Sequence, residues 1–291
     1  MAWPTISLSF EKVLFMNIGS SPRKLYVIGN GFDLHHGLPC GYADFMAWLQ
    51  GNRPKVYSTL NRIYGDCDGN NWSDFEESLA SFNLDDYPDD VTRDDLMRLK
   101  AGLNEALGTW AKTIGMPEEK TAIGGIDRNA VFFTFNYTRT LEDFYGIGAD
   151  RIVHLHGGVD NGNLIFGHDS MGDGVTDEDL KEARRMRMDA DVYRDMVHVK
   201  KSQEFADIFR KPVAEAIEEH RSVFEALTGI EEMIVLGVSY SDIDKPYYER
   251  IIEATGDDIK VMLGHHTFWD SNHALALAEE LGFCNTTLVE F

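Results

Sequence analysis

The chain has 291 residues, 43% of them hydrophobic and 11% aromatic, which is enough to bury a substantial core and excludes a disordered or fibrous protein. Its 49 acids against 27 Lys and Arg give a formal charge of −22, a field that repels a phosphate backbone, so nucleic acid is not the expected partner. Nearly half of that excess lies between Asp66 and Asp95, where 11 acids meet one base, Arg93; a solvated acidic surface is the plainer reading of it.

In chain order, residues 1–24 read as an N-terminal extension. They carry Glu11 and Lys12 inside an apolar stretch without a basic leader, unlike a signal peptide. Organised pattern begins at Leu25, so Met16 could be the biological start. Short apolar runs then recur at Leu25–Gly29, Val131–Phe135, Ile152–His156, Leu164–Gly167, Met233–Val238, Ile259–Leu263 and Thr287–Phe291. They are apolar almost throughout, as strands covered on both faces are, and helical patterns separate several of them. A largely parallel sheet follows from that alternation.

Ser73-Asp74-Phe75-Glu76 reads as a capping box ahead of a helical stripe, and Thr92–Asp95 repeats the device before Leu96, Leu99, Leu103, Leu107 and Trp110. A further helix opens at Ser202 and runs to Leu227, divided near Pro212 and stopped at Gly229. Pro246 sits in a first turn after Asp244, and a last helix follows Asn272. These elements predict one α/β domain over 25–291, Rossmann-like, with helices on both faces and a helical insertion at about 41–125. Cys40, Cys67 and Cys284 form no C-x-x-C pair, so neither a disulfide framework nor a thiolate zinc site is expected. Reduced thiols and the lack of any apolar run of membrane length fit a cytoplasmic protein. The basic residues between Lys181 and Lys201 read as an exposed helix or, less simply, as phosphate contacts.

Four buried strands end in polar residues. Gly29-Asn30-Gly31-Phe32-Asp33 follows the first; its glycines allow either a tight turn or the close approach of an anion to backbone N–H groups. Position 34 is Leu, so the full G-x-G-x-x-G fingerprint is absent. Asn136 ends the second strand, as a turn former or pointing into a ligand crevice. On the third, alternation places His154 and His156 on one face, for structural hydrogen bonds or for chemistry; no neighbouring ligand set completes a metal site. Gly167-His168-Asp169 adds a further candidate. After Gly237, Ser239 and Ser241 either meet ribose hydroxyls or cap the next helix with Asp244.

Together these segments resemble the AbiH family of bacterial abortive-infection proteins. The resemblance lies in V-I-G-N-G-F-D-L-x-H-G-L-P, Tyr42 with Asp44-Phe45, W72-x-D-F-E, F-T-F-N-Y-T, H-L-H-G and G-V-S-Y-S-D-I-D-x-P-Y, spanning about 25–250. More distantly they are similar to the sirtuin-type NAD-binding fold, whose glycine loop matches Gly29, Gly31, Gly37, Leu38 and Pro39. Its strand-end Asn matches Asn136, its His-Gly matches His156-Gly157, and its G-T-S loop matches Gly237-Val238-Ser239. The zinc-ribbon cysteines of the protein deacylases are absent, and Cys40–Ala43 separate Pro39 from Asp44.

The resemblance therefore implies an antiphage effector that hydrolyses NAD to ADP-ribose and nicotinamide, rather than a deacylase. Gly29, Asn30 and Gly31 would cradle phosphate, with Phe32, Gly237 and Ser239 completing the NAD site. Asn136 would position water or ribose, and His156 would contact ribose hydroxyls or act as base. Asp33 stands where the sirtuins have Ser and, as a carboxylate, could hold ribose or stabilise the cation. The alternative is a nucleotide-sensing module that works through a partner or oligomer without turnover; a nuclease-like toxin is opposed by the charge. NAD is the expected ligand, no metal is expected, and the expected partners are a phage trigger and a second copy in a homo-oligomer, with neither membrane nor nucleic acid.

Overall fold

A computed structural model describes residues 23–65, 72–80, 91–116, 122–160, 164–168 and 174–291. Met16, Cys67, Asp169, most of the acidic block and the side chain of Ser73 lie outside the described residues. The chain divides into two compact units, one of Met1–Cys40, Ala111–Leu164 and Pro212–Phe291, the other of Gly41–Trp110 and Ile165–Lys211.

The first unit is built on six parallel strands: β1 (Lys24–Ile28), β2 (Val131–Thr134), β3 (Ile152–His154), β4 (Glu232–Leu236), β5 (Lys260–His265) and β6 (Asn285–Glu290). Their order is β3-β2-β1-β4-β5-β6, the arrangement of a doubly wound Rossmann-like sheet. Burial explains the sequence pattern. Tyr26 and Ile28 of β1 pair in register with Phe132 and Thr134 of β2 and with Ile234 and Leu236 of β4. Tyr26, Ile28, Phe132, Ile234 and Leu236 join Phe32, Leu141, Tyr145 and Ile152 in one apolar cluster, where Tyr26 stacks on Phe132 at 4.8 Å. Leu25, Val27, Val131, Phe133, Met233 and Val235 occupy the alternate positions and are equally buried, with Phe133 edge-on to Phe224 at 5.1 Å. At the amino end, Lys24, Glu232 and Lys260 are cross-strand neighbours, and both lysines reach the Glu232 carboxylate at 2.7 Å.

Helices of this unit are α1 (Asn30–His35), α8 (Val213–Glu219), α9 (Arg221–Glu225), α10 (Lys245–Thr255) and α11 (Phe268–Glu280), with a π-helical turn at Thr140–Phe144. Pro246 lies in the first turn of α10, as expected, because its missing N–H has no partner there in any case. The last helix begins four residues before Asn272, at a Thr267–Asp270 capping box.

The second unit contains α2 (Tyr42–Asn52), α3 (Pro54–Tyr64), α4 (Trp72–Ala80), most of α5 (Arg93–Ala111), α6 (Asp177–Arg185) and α7 (Ala190–Ala206). Thr92 and Asp95 form the expected cap of α5. Tyr42, Phe45, Trp72, Phe75 and Trp110 interlock as one aromatic group, with ring centroids 5.0–6.3 Å apart. Two expectations change here. The helix expected from Ser202 starts earlier, at Ala190, and breaks before Pro212. Leu164–Gly167 forms no strand; a single bridge, His168 to Arg210, holds its end, and Gly167 at φ +136° is unsuited to an extended ladder. A four-residue apolar run is too short for its period to separate a strand from a buried connection.

Candidate functional site

The strand order reverses between β1 and β4, and a doubly wound sheet takes its ligand outside the carboxyl ends at such a reversal. Gly29 and Gly31 follow β1; Gly237 follows β4. Their backbones meet directly: Gly29 N–H donates to the Leu236 carbonyl at 2.9 Å, and Gly31 N–H to the Gly237 carbonyl at 2.8 Å. A Cβ on Gly29 would stand 2.5 Å from the Gly237 oxygen, and one on Gly237, at φ +71°, 2.1 Å from the Phe32 nitrogen. The missing side chains thus let two loops close on each other, and two amides expected to face phosphate are bonded to β4 and its loop. Asn30 is half-buried at the start of α1, and the Phe32 side chain is sealed in the apolar cluster. Ser239 is exposed beside Tyr240, whose φ of +56° is an uncommon backbone state for a bulky residue. The Tyr240 hydroxyl donates to the Gly264 carbonyl at 2.6 Å.

Asn136 is brought to the same place. Its side-chain amide donates to the Gly29 carbonyl at 3.0 Å, and its own N–H to Thr134 Oγ1 at 3.0 Å. Next to it is Asp33, 1% exposed, whose Oδ2 accepts from the Thr138 hydroxyl. Oδ1 is buried without a hydrogen-bond partner among the described residues. Burial pushes the Asp33 pKa above the ordinary carboxylate value, against the opposite pull of Thr138, Thr140 and Asn136. Of the two roles expected for Asp33, a hydrogen-bonding one suits a carboxyl that resists ionisation better than a counter-charge. The space bounded by Ile28, Phe32, Asp33, Thr134, Asn136 and Thr138 is too tight for a water molecule.

A pH signature follows from that carboxyl. The folded protein holds the Asp33 proton more tightly than the unfolded chain, so this group makes stability fall as pH rises from about 3.8 towards its raised folded pKa. Asp33→Asn is expected to flatten that part of the stability curve, read from denaturation midpoints across pH. The same slope in the variant would mean that Asp33 ionises freely.

The two histidines part company. β3 ends at His154, and Gly157, at φ +76°, returns its N–H to the His154 carbonyl at 3.0 Å, so His156 lies in a turn beyond the strand. The alternation expected through His156 stops there. His154 Nδ1 is 2.9 Å from the Asn136 carbonyl, and its Nε2 is 3.3 Å from Glu142 on the π-helical turn. His156 instead lies against the rings of Phe135, at 4.7 Å, and Tyr247, at 5.6 Å, with its Nε2 3.4 Å from Asp244. Sequence reasoning gave no site role to Thr138, Thr140, Glu142 and Tyr247: Thr138 and Tyr247 lie within F-T-F-N-Y-T and D-I-D-x-P-Y, but nothing in their spacing assigns them a partner. Asp244 was visible as a helix cap and as a residue of the latter motif.

The remaining motifs have structural partners. In the second unit, Glu76 of W72-x-D-F-E accepts from the Gly167 amide at 3.2 Å and lies 3.7 Å from Lys211, whose side chain is 2% exposed. That motif ties α4 to the 165–211 segment. The basic side chains Lys181, Arg185, Arg194 and Lys200 pair with acids on α6 and α7 rather than gathering into a patch. Among the described residues no group of three His, Cys, Asp or Glu could hold a metal ion, and no helix is long and apolar enough to cross a membrane.

The family described as bacteriophage abortive infection AbiH matches the chain over residues 25–94 and 87–264, which include both strands of the switch point and every polar strand end above. The chain belongs to the AbiH family. A role in abortive infection of bacteriophage follows from that membership. Comparison with curated proteins and with solved structures gives no match. Within the AbiH match, G-N-G-F-D and G-V-S-Y are the two loops that close on each other, F-T-F-N supplies the amide on Gly29, and H-L-H-G sends its two histidines to different partners.

Proposed function

We propose that this AbiH protein acts against phage infection by binding NAD at the β1–β4 switch point and hydrolysing it to ADP-ribose and nicotinamide. One observation supports the reading above the others. Asp33 and Asn136 line one space, His156 pairs with Asp244, and all four residues follow the carboxyl ends of the adjacent strands β1 to β4 of a dinucleotide-type sheet. The reaction needs little covalent help. The bond from the ribose anomeric carbon to the nicotinamide nitrogen breaks, its electron pair leaves with the neutral base, and water adds to the oxocarbenium-like carbon. His156 takes the proton of that water, and the Asp244 carboxylate, 3.4 Å from the ring's Nε2, stabilises the imidazolium so formed. Asn136 orients the water or ribose, and Asp33 hydrogen-bonds the sugar, once the Asn136–Gly29 bond opens and widens the space that the two residues line, which as it stands is too tight for water.

In the arrangement described, the Gly29 and Gly31 amides are bonded to β4 and its loop. A pyrophosphate contacting them requires the Gly237–Tyr240 loop to move aside, so ligand entry is coupled to loop displacement. The same clasp favours the second reading, a sensor that binds a nucleotide and passes on the loop movement without turnover. Incubating the purified protein with NAD and separating the products by chromatography distinguishes them. Nicotinamide and ADP-ribose are expected, lost by about 100-fold or more in His156→Ala and Asn136→Ala if each acts in the transition state. Calorimetric NAD binding without product selects the sensor, and absence of both, also with extract of infected cells, defeats the proposal.

A further inference from the structure

We propose that His154 and Glu142 form a positioning pair for Asn136: the His154 ring, backed by Glu142, holds the Asn136 carbonyl and so fixes the main chain from which the Asn136 side chain reaches Gly29. Neither residue belongs to the His156–Asp244 pair. The effect of the pair on turnover rests on the NAD reading above; its hold on Asn136 does not.

Strand register brings the residues together. His154 ends β3 beside Thr134, the last residue of β2, so its side chain stands next to the segment that leaves β2. Its Nδ1 is 2.9 Å from the Asn136 carbonyl oxygen and its Nε2 is 3.3 Å from Glu142 Oε1. Both side chains are largely withdrawn from solvent, that of His154 14% exposed and that of Glu142 11%. The ring has little room to turn. A Cβ on Gly158 would lie 3.2 Å from His154 Cγ and Nδ1, so the Gly158 main chain packs against the imidazole. Val159 then donates its N–H to the Tyr137 carbonyl at 3.0 Å, which ties that turn to the same stretch of chain.

Donor and acceptor chemistry gives the ring its direction. A carbonyl oxygen only accepts, so Nδ1 must carry a hydrogen for the bond to Asn136 to exist. An ionised Glu142 also only accepts. A protonated His154 therefore donates through both nitrogens, with a charge-assisted bond on the Glu142 side. A neutral ring keeps its hydrogen on Nδ1 and gives up the Glu142 bond alone. The second Glu142 oxygen, Oε2, is buried without a hydrogen-bond partner among the described residues, so the ring is the donor that this carboxylate meets. The ring's charge also reaches Asp33 from α1, where it joins the pulls that oppose burial. Arg139, near Glu142 on the chain, is engaged by Asp143 and Asp160.

Asn136 is thus held twice. Its side-chain amide donates to the Gly29 carbonyl at 3.0 Å, and its own carbonyl accepts from His154. When the first bond opens for a ligand, the His154 bond and the Asn136 N–H on Thr134 keep the main chain in place. The π-helical turn that carries Glu142 also carries Thr140, which lines the space beside Asp33. One turn of a rare kind, recurrent at functional sites, therefore supports both residues.

NMR of the full chain tests the proposal without NAD. Neutral His154 is expected as the Nδ1–H tautomer, read from its ring nitrogen shifts; the Nε2–H tautomer overturns the proposal. This is read on the unaltered chain, so it decides even where a variant fails to fold. His154→Leu with Glu142→Gln removes the ring donor and strands no carboxylate. In that variant the Asn136 side-chain amide hydrogens should exchange with solvent about tenfold faster or more, with circular dichroism unchanged. His154→Asn, whose amide nitrogen can take the place of Nδ1, should stay within about threefold of the unaltered chain. Unchanged exchange in the double variant overturns the proposal, as does exchange in His154→Asn as fast as in the double variant. In NAD hydrolysis, kcat should fall about tenfold or more in the double variant, with KM within about twofold, and recover in His154→Asn. A rise in KM at unchanged kcat would overturn the positioning role. A chain without turnover defeats the NAD reading, and tautomer and exchange then decide this one.

Discussion

Gly237→Ala is expected to cost about 2–5 kcal/mol of folding stability, the sum of a left-handed backbone forced on a residue with a Cβ and of overpacking against a neighbouring main chain. Gly237 has φ +71°, and its added methyl would lie 2.1 Å from the Phe32 nitrogen and 2.6 Å from the Gly31 carbonyl carbon. Neither is the movable end of a side chain; both belong to the first turn of α1. The control is Gly229→Ala, at φ +94° with no heavy atom within 4 Å of the new methyl, which should lose only the backbone component, about 1–2 kcal/mol. Urea midpoints of the two variants at equal m-values give the comparison. Equal losses would show that the two glycine loops are not in contact, and the clasp over the switch point would have to be abandoned.

Replacing Lys211 with Met is expected to cost about 3–5 kcal/mol, because it leaves the Glu76 carboxylate without the cation 3.7 Å away in a largely dry setting. The Lys211 side chain is 2% exposed and that of Glu76 17%. The magnitude reflects desolvation more than attraction, which gives the prediction its second half. Lys211→Met combined with Glu76→Gln should recover much of the loss, since neither partner is then a stranded charge. Denaturation of the two single variants and the double variant forms a complete cycle. If Lys211→Met alone loses less than about 1 kcal/mol, the pair is solvated and W72-x-D-F-E needs another explanation.

The core of the first unit was legible in the sequence because strands buried on both faces must be apolar at consecutive positions. Leu25–Gly29 and Val131–Phe135 could be little else, and both lie in the middle of the sheet. The edges were less legible. β3 keeps only Ile152–His154 because Gly157 turns the chain back, and Leu164–Gly167 is apolar for the sake of a connection. Helix starts were readable at the Thr92 cap and at Pro246, and were misjudged for α7 and α11, although Asp189 and Thr267 cap them.

The site divides in the same way. That Gly29, Asn136, His156 and Gly237 stand at strand ends follows from periodicity and glycine placement. Which groups they face does not. The three glycines have identical sequence signatures whether a phosphate or another backbone approaches them, and here the Gly237 loop does. His154 and His156 are two residues apart, yet one bonds the Asn136 carbonyl and the other sits by Asp244, because a turn begins between them. Thr138, which holds Asp33, carries no pattern that spacing can reveal.

By itself the sequence determined the class of fold, the family and the positions at which polar residues leave the sheet, since these depend on local burial and short-range order along the chain. Only the tertiary structure decided the pairings: Asn136 with Gly29, Asp33 with Thr138, His156 with Asp244, and Gly31 with Gly237. Partners some 90 to 205 residues apart are chosen by strand order and by the geometry of the turns, which no local pattern encodes.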